Sequence, residues 1–155
     1  MDRRIAWWVA IGATFLLYLQ LWIHSALDKW KALGDDPFPP QWFVDQFTGS
    51  LFEFVPGLSA SWVVLAILET LAAFAWIVSL VRGEFLPNRE RPWIAIASAI
   101  SALAFAALAF GQNLTGQFSG TFTLTLYFAV AMLTPFMVEW FDRWLSGAPR
   151  APTSD

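Results

Sequence analysis

Glu69 stands where ionisable residues are costly. It lies inside the apolar run Ala66-Ile67-Leu68-Glu69-Thr70-Leu71. A carboxylate at membrane depth must face the protein interior, be protonated or meet a partner. Counted along its helix from the outer end, it lies roughly 13 Å deep at a rise of about 1.5 Å per residue. A second set of polar residues occupies an upstream apolar segment. Gln20, His24 and Asp28 recur at a spacing of four and line one helical stripe, and Tyr18, Ser25 and Lys29 line another. The same count puts Tyr18 about 12 Å deep, Gln20 about 9 Å and His24 about 3 Å. Tyr18 or Gln20 is thus expected to reach Glu69 directly, and His24 only through water. With Gln112 and Asn113, these residues are expected to line a polar pocket that opens outward. Such a pocket suits a polar head group, a quinone ring or a lipid, and a carboxyl at that depth suits proton exchange with a quinone. The competing reading for Glu69 is a hydrogen-bond network that pins the helices. Tyr18 and Gln20 are read as packing residues, and His24 and Lys29 as solvated groups at the interface.

Other chemistries find no residues to carry them. There are no cysteines and one histidine, which excludes disulfides, thiolate metal sites and thiol redox chemistry in this chain. No zinc or other metal site is expected. No Ser/His/Asp set, paired carboxylates or glycine-rich phosphate loop is present, so no catalytic residue is assigned. The net charge of −3 without a basic cluster argues against nucleic acid. The 10 Trp and 15 Phe suit contact with a pigment, quinone or carotenoid, but more simply serve as lipid-facing bulk and interface belts.

The elements that position these residues follow from the apolar pattern. The chain has 155 residues, 57% apolar and 14% charged, against about 25% charged in soluble domains. Apolar runs at about 5–26, 60–81, 93–110 and 121–140 approach the roughly 20 residues that cross a hydrocarbon core of about 30 Å. Uniform runs without alternation exclude barrel strands. The expected fold is therefore an all-α membrane protein, an antiparallel bundle of four transmembrane helices over residues 1–145. The first run is longer than a signal-peptide core, and His24-Ser25-Ala26-Leu27 is a poor cleavage site, so it reads as a retained anchor.

Seven of the nine basic residues (Arg3, Arg4, Arg82, Arg89, Arg91, Arg143 and Arg150) fall on one side, and Lys29 and Lys31 on the other. Both termini are accordingly expected in the cytoplasm. The uncharged segment 111–120 reads as an outer turn. Between the first two runs, Pro37, Pro39 and Pro40 break the helix. Residues 41–55 then form an amphipathic pattern with Phe43, Phe47, Leu51 and Phe54 on one stripe. This predicts a short interfacial helix in the first outer loop, or alternatively a lid packed on the bundle. Ser98, Ala102, Ala106 and Ala109 are expected to share a face of the third helix and allow close helix approach. The tail 146–155 is expected to be disordered and cytoplasmic.

The chain resembles the DoxX-like superfamily of small four-helix membrane proteins. The resemblance is carried by His24-Ser25-Ala26-Leu27-Asp28-Lys29-Trp30, then Pro37 and Phe38, the Pro56-Gly57 turn, Glu69 within the second helix, and Arg82-Gly83-Glu84-Phe85. It implies a fold with the N-terminus inside, in a bacterial cytoplasmic membrane, with Lys29 and Glu69 at the family's polar positions. Members include a membrane subunit of a thiosulfate:quinone oxidoreductase and maturation factors for other proteins.

Three functions are expected, in order. The first is an accessory or anchor subunit of a larger membrane complex, redox or energy-transducing, with a quinone or lipid pocket near Glu69 and no catalysis of its own. The second is a quinone-linked oxidoreductase subunit acting through Glu69. The third is an oligomeric transporter of small molecules or lipids, for which no broken helix or inverted repeat speaks. Expected partners are the bilayer and other membrane subunits or further copies of this chain.

Overall fold

The computed structural model describes residues 3–35, 37–54 and 57–146. Within them it is all helical. The helices are α1 (Arg3–Ala32), α2 (Gln41–Phe47), α3 (Leu58–Val81), α4 (Pro92–Leu114) and α5 (Phe118–Ser146), with one 3-10 turn at Leu51–Phe54. Four of them, α1, α3, α4 and α5, are long and apolar enough to cross a membrane. They form the antiparallel four-helix bundle that the apolar runs predict. α1 packs on α3, α3 on α4 and α4 on α5, while α1 and α5 touch only lightly.

All four spans run further than the apolar residues alone indicate. α1 continues past Ala26 to Ala32, because Leu27 to Ala32 contains no breaker, and Lys29 and Lys31 in its last turn complement the helix dipole. α4 reaches Leu114 and α5 begins at Phe118, so the expected outer segment 111–120 shrinks to a tight turn. The residues beyond 146 that were expected to form a disordered tail lie outside the described residues.

The expected helix over 41–55 is shorter. It ends at Phe47, turns at Gly49 with φ +76° and resumes as the 3-10 turn. A side chain at that φ would be strained, which places the break at the glycine. Phe43 and Phe47 are buried against Trp62 and Leu58 of α3, while Leu51 is exposed. The aromatic half of the stripe thus faces the bundle, so the segment is a lid.

The core is built on indoles and small residues. Ser101 Oγ accepts hydrogen bonds from both Trp22 Nε1 (2.9 Å) and Trp76 Nε1 (3.2 Å), joining α1, α3 and α4 at one hydroxyl. Tyr18 stacks on Trp76, with ring centroids 4.5 Å apart and planes 10° apart. The buried face of α4 is Ile94, Ala97, Ser98, Ser101, Ala102, Ala104 and Phe105. The expected small-residue stripe holds at Ser98 and Ala102 but fails at Ala106, which is exposed. Phe105 fills the contact instead, its ring tilted against Trp22 with centroids 4.7 Å apart.

Candidate functional site

Glu69 meets Lys29. Lys29 Nζ lies 2.8 Å from Glu69 Oε1 and also donates to Ser25 Oγ at 3.1 Å. Glu69 is fully buried, and the lysine side chain is 14% exposed. Side chains on a helix tilt toward its N-terminus. On α1 that tilt carries the lysine inward from the helix end. On the antiparallel α3 it carries the carboxylate outward. The two therefore converge from different depths. The frame around them is aromatic. The Trp62 ring lies 5.6 Å from Lys29 Nζ, within cation–π range, and Trp62 Nε1 donates to the Lys29 carbonyl at 3.1 Å. Trp30 Nε1 donates to Thr70 Oγ1 at 2.8 Å. These bonds fix the register of α1 against α3. Glu69 Oε2 is buried and has no protein partner.

The pairing corrects two expectations. Tyr18 does not reach Glu69. Its hydroxyl shares a 3.0 Å hydrogen bond with Thr134 on α5, and Thr134 in turn donates to the Val130 carbonyl. Gln20 and His24 are exposed, on the side of α1 that faces away from the bundle. Lys29 is not solvated but forms half of a buried ion pair. Asp28 stays outside and pairs with Lys31 at 3.6 Å. Of the proposed polar set, Lys29, Glu69 and Ser25 come into contact, and Gln112 shares a cleft with Lys29.

Beside this pair lies a cleft of about 470 Å³ between the lid, the first half of α3 and the last turns of α4. It is half open, and its walls are mostly apolar. Trp42, Phe43, Phe47 and Phe52 of the lid face Trp62, Val64 and Leu65 of α3. Among the described residues Lys29 is the one charged residue on the wall; Gln46 of the lid, Ser61 of α3 and Gln112 of α4 are polar. Gln112 Oε1 is buried without a partner, whereas Asn113 is exposed. The expected polar pocket is therefore a mostly aromatic and aliphatic cleft with one ammonium, the amides of Gln46 and Gln112 and the hydroxyl of Ser61 among its described lining. Close approach of lid and bundle depends on Gly111, where a Cβ would stand 3.3 Å from Phe47 Cζ.

A second buried polar cluster, at the end of the bundle where α1 begins and α5 ends, is not among the site residues expected from the sequence. Glu84 is 2% exposed. Its carboxylate accepts from the Trp93 and Ile94 amides at 3.2 and 2.9 Å, capping α4. Arg91 pairs with Asp142 of α5 at 2.9 Å and donates to the Glu84 and Leu86 carbonyls. This cluster closes the α3–α4 connection and ties it to α5. It satisfies backbone groups. Pro92 opening a helix eight residues after a glutamate was the signal available in the sequence.

Among the described residues, no group of three or more His, Asp or Glu side chains could hold a metal ion. No family model, curated protein or solved structure matches the chain.

Proposed function

We propose that the chain is an accessory subunit of a larger complex in a bacterial cytoplasmic membrane, and that it holds an amphiphilic molecule, a quinone or a lipid, in the cleft under the lid. The observation that carries this reading is the position of Lys29. Among the described residues it is the one charged group on a mostly apolar wall, and it is held in place by Glu69, Ser25 and Trp62. Ligand sites combine an apolar lining with a few fixed polar groups. The resemblance to the DoxX-like superfamily belongs to this proposal, since Lys29 and Glu69 are its polar positions. The basic residues put both termini in the cytoplasm, and the cleft then opens at the outer leaflet. The accessory role is supported by how the ionisable groups are used. Glu69, Glu84, Arg91 and Asp142 are all engaged in internal contacts.

The test is extraction from native membranes in mild detergent, with particle mass, co-migrating proteins and solvent-extractable amphiphile measured together. The expected result is an assembly of constant composition that carries an amphiphile. Ala107→Trp, which fills the cleft from α4, is expected to lose the amphiphile and keep the assembly. A particle containing this chain alone would overturn the accessory reading. Amphiphile retained unchanged in Ala107→Trp would overturn the cleft as its site.

A further inference from the structure

Charge balance limits what the cleft accepts. Among the described residues Lys29 brings the only formal charge to the wall, and Glu69 already compensates it at 2.8 Å. The ammonium has three N–H groups. One goes to Glu69 and one to Ser25, which leaves the third for a guest. The site thus offers a strong donor but no uncompensated positive charge. An anionic head group placed on Lys29 would bring a second negative charge close to Glu69 in a poorly solvated place. It would lose its own hydration and meet repulsion that water does not screen. A ketone, ester or amide carbonyl takes the same N–H without either cost. The other polar residues of the wall, Gln46, Ser61 and Gln112, are uncharged as well.

We propose that the cleft selects amphiphiles with an uncharged, carbonyl-type head and rejects anionic ones, and that Glu69 sets this preference through Lys29. This rests on the cleft being the ligand site proposed above. Glu69 is a specificity residue that does not touch the ligand. It acts by cancelling the charge of the residue that does. Glu69→Gln keeps the size and a hydrogen-bond acceptor for Lys29 but frees the lysine charge. The site should then welcome a carboxylate.

The experiment uses the full chain in uncharged detergent micelles at alkaline pH. The probes are a diazirine-bearing long-chain fatty acid and its methyl ester. Labelling of the lid and the first half of α3 is measured against labelling of the exposed α5 surface around Phe136, which corrects for partitioning into the micelle. The parent protein is expected to take the ester at least about tenfold better than the acid. Glu69→Gln is expected to remove or invert that ratio, and Glu69→Asp, which keeps the charge, to preserve it. Equal labelling of the parent cleft by acid and ester would overturn the inference while leaving the cleft as a ligand site, and so would an unchanged ratio in a folded Glu69→Gln. Labelling of the cleft by neither probe would overturn the cleft as a ligand site and the inference with it. The ratio in the parent decides the matter even where a variant does not fold.

Discussion

Lys29 and Glu69 lie 40 positions apart in sequence and on different helices, yet their charged atoms stand 2.8 Å apart within the bundle. The energetics of such a pair are asymmetric. Desolvating both charges costs much of what their attraction returns, whereas removing one partner strands the other, at a cost of about 3–5 kcal/mol. Glu69→Leu is therefore expected to insert but to unfold more readily than the parent, and Lys29→Met likewise. The double variant is expected to recover most of the loss. Unfolding in a denaturing-detergent titration measures all four proteins. Additive losses in the double variant would show that the pair is not coupled.

A similar asymmetry holds at Ser101. Its hydroxyl is the acceptor for two buried indole N–H groups, those of Trp22 and Trp76. Ser101→Ala removes little volume but leaves both donors unsatisfied, at about 1–3 kcal/mol each. Thermal unfolding should fall clearly for this variant. Adding Trp22→Phe and Trp76→Phe should not deepen the loss by the full cost of two large-to-smaller core changes, because the stranded donors disappear with the rings. A Ser101→Ala protein as stable as the parent would mean that the indoles find other acceptors.

The difference between what was legible in the sequence and what was not comes down to side-chain reach. Four spans follow from apolar length, and the interior position of Glu69 follows from the cost of a charge in lipid. Its partner does not follow. A depth count treats residues as points on an axis, and it places Tyr18 and Gln20 level with Glu69. The real geometry adds the lean of each side chain toward its own helix N-terminus and the long stem of lysine. It also adds the extra turns of α1 beyond Ala26. Rotation about the helix axis does the rest, turning Gln20 outward and Tyr18 toward α5. Glu84 was harder to see. A glutamate in a charged connection reads as solvated, and its burial depends on the chain folding back so that Trp93 and Ile94 present their amides.

That capping arrangement gives a local prediction. Glu84→Ala removes the acceptor of two amides at the start of α4, a loss of about 1 kcal/mol, rising toward about 2 kcal/mol in well-packed cases. Hydrogen exchange should speed up at Trp93 and Ile94 and leave α1 unchanged. Arg91→Ala should loosen the same connection by a different route, since it removes the ion pair to Asp142 on α5 and leaves that carboxylate, among the described residues, only the Asn88 amide. Its effect should therefore extend into the last turns of α5. Identical exchange patterns in the two variants would contradict the separate roles.

The lid offers a steric test. Gly111 lies against the Phe47 ring, and a single added carbon would already sit 3.3 Å from Cζ. Gly111→Ala is expected to be absorbed by a small shift of the ring. Gly111→Leu has no such room and should lift α2 from Trp62. The lid amides at 41–53 should then exchange faster, and the bundle core should not. Unchanged protection in Gly111→Leu would mean that the lid is not seated on α4 as described.

Sidedness can be tested cleanly because the chain contains no cysteine. Single cysteines can be introduced without a background, at exposed positions. Arg89 in the α3–α4 connection and Gln117 in the α4–α5 turn are both exposed and belong to opposite ends of the antiparallel bundle. The bias of basic residues predicts that the Arg89 end faces the cytoplasm. In intact cells, Gln117→Cys is expected to react with a membrane-impermeant maleimide and Arg89→Cys only after the cells are opened. The reverse pattern would turn the cleft toward the cytoplasm, and its guest would then have to come from the inner leaflet. Labelling of both positions in intact cells would point to a mixed orientation, which the strong excess of basic residues at one end argues against.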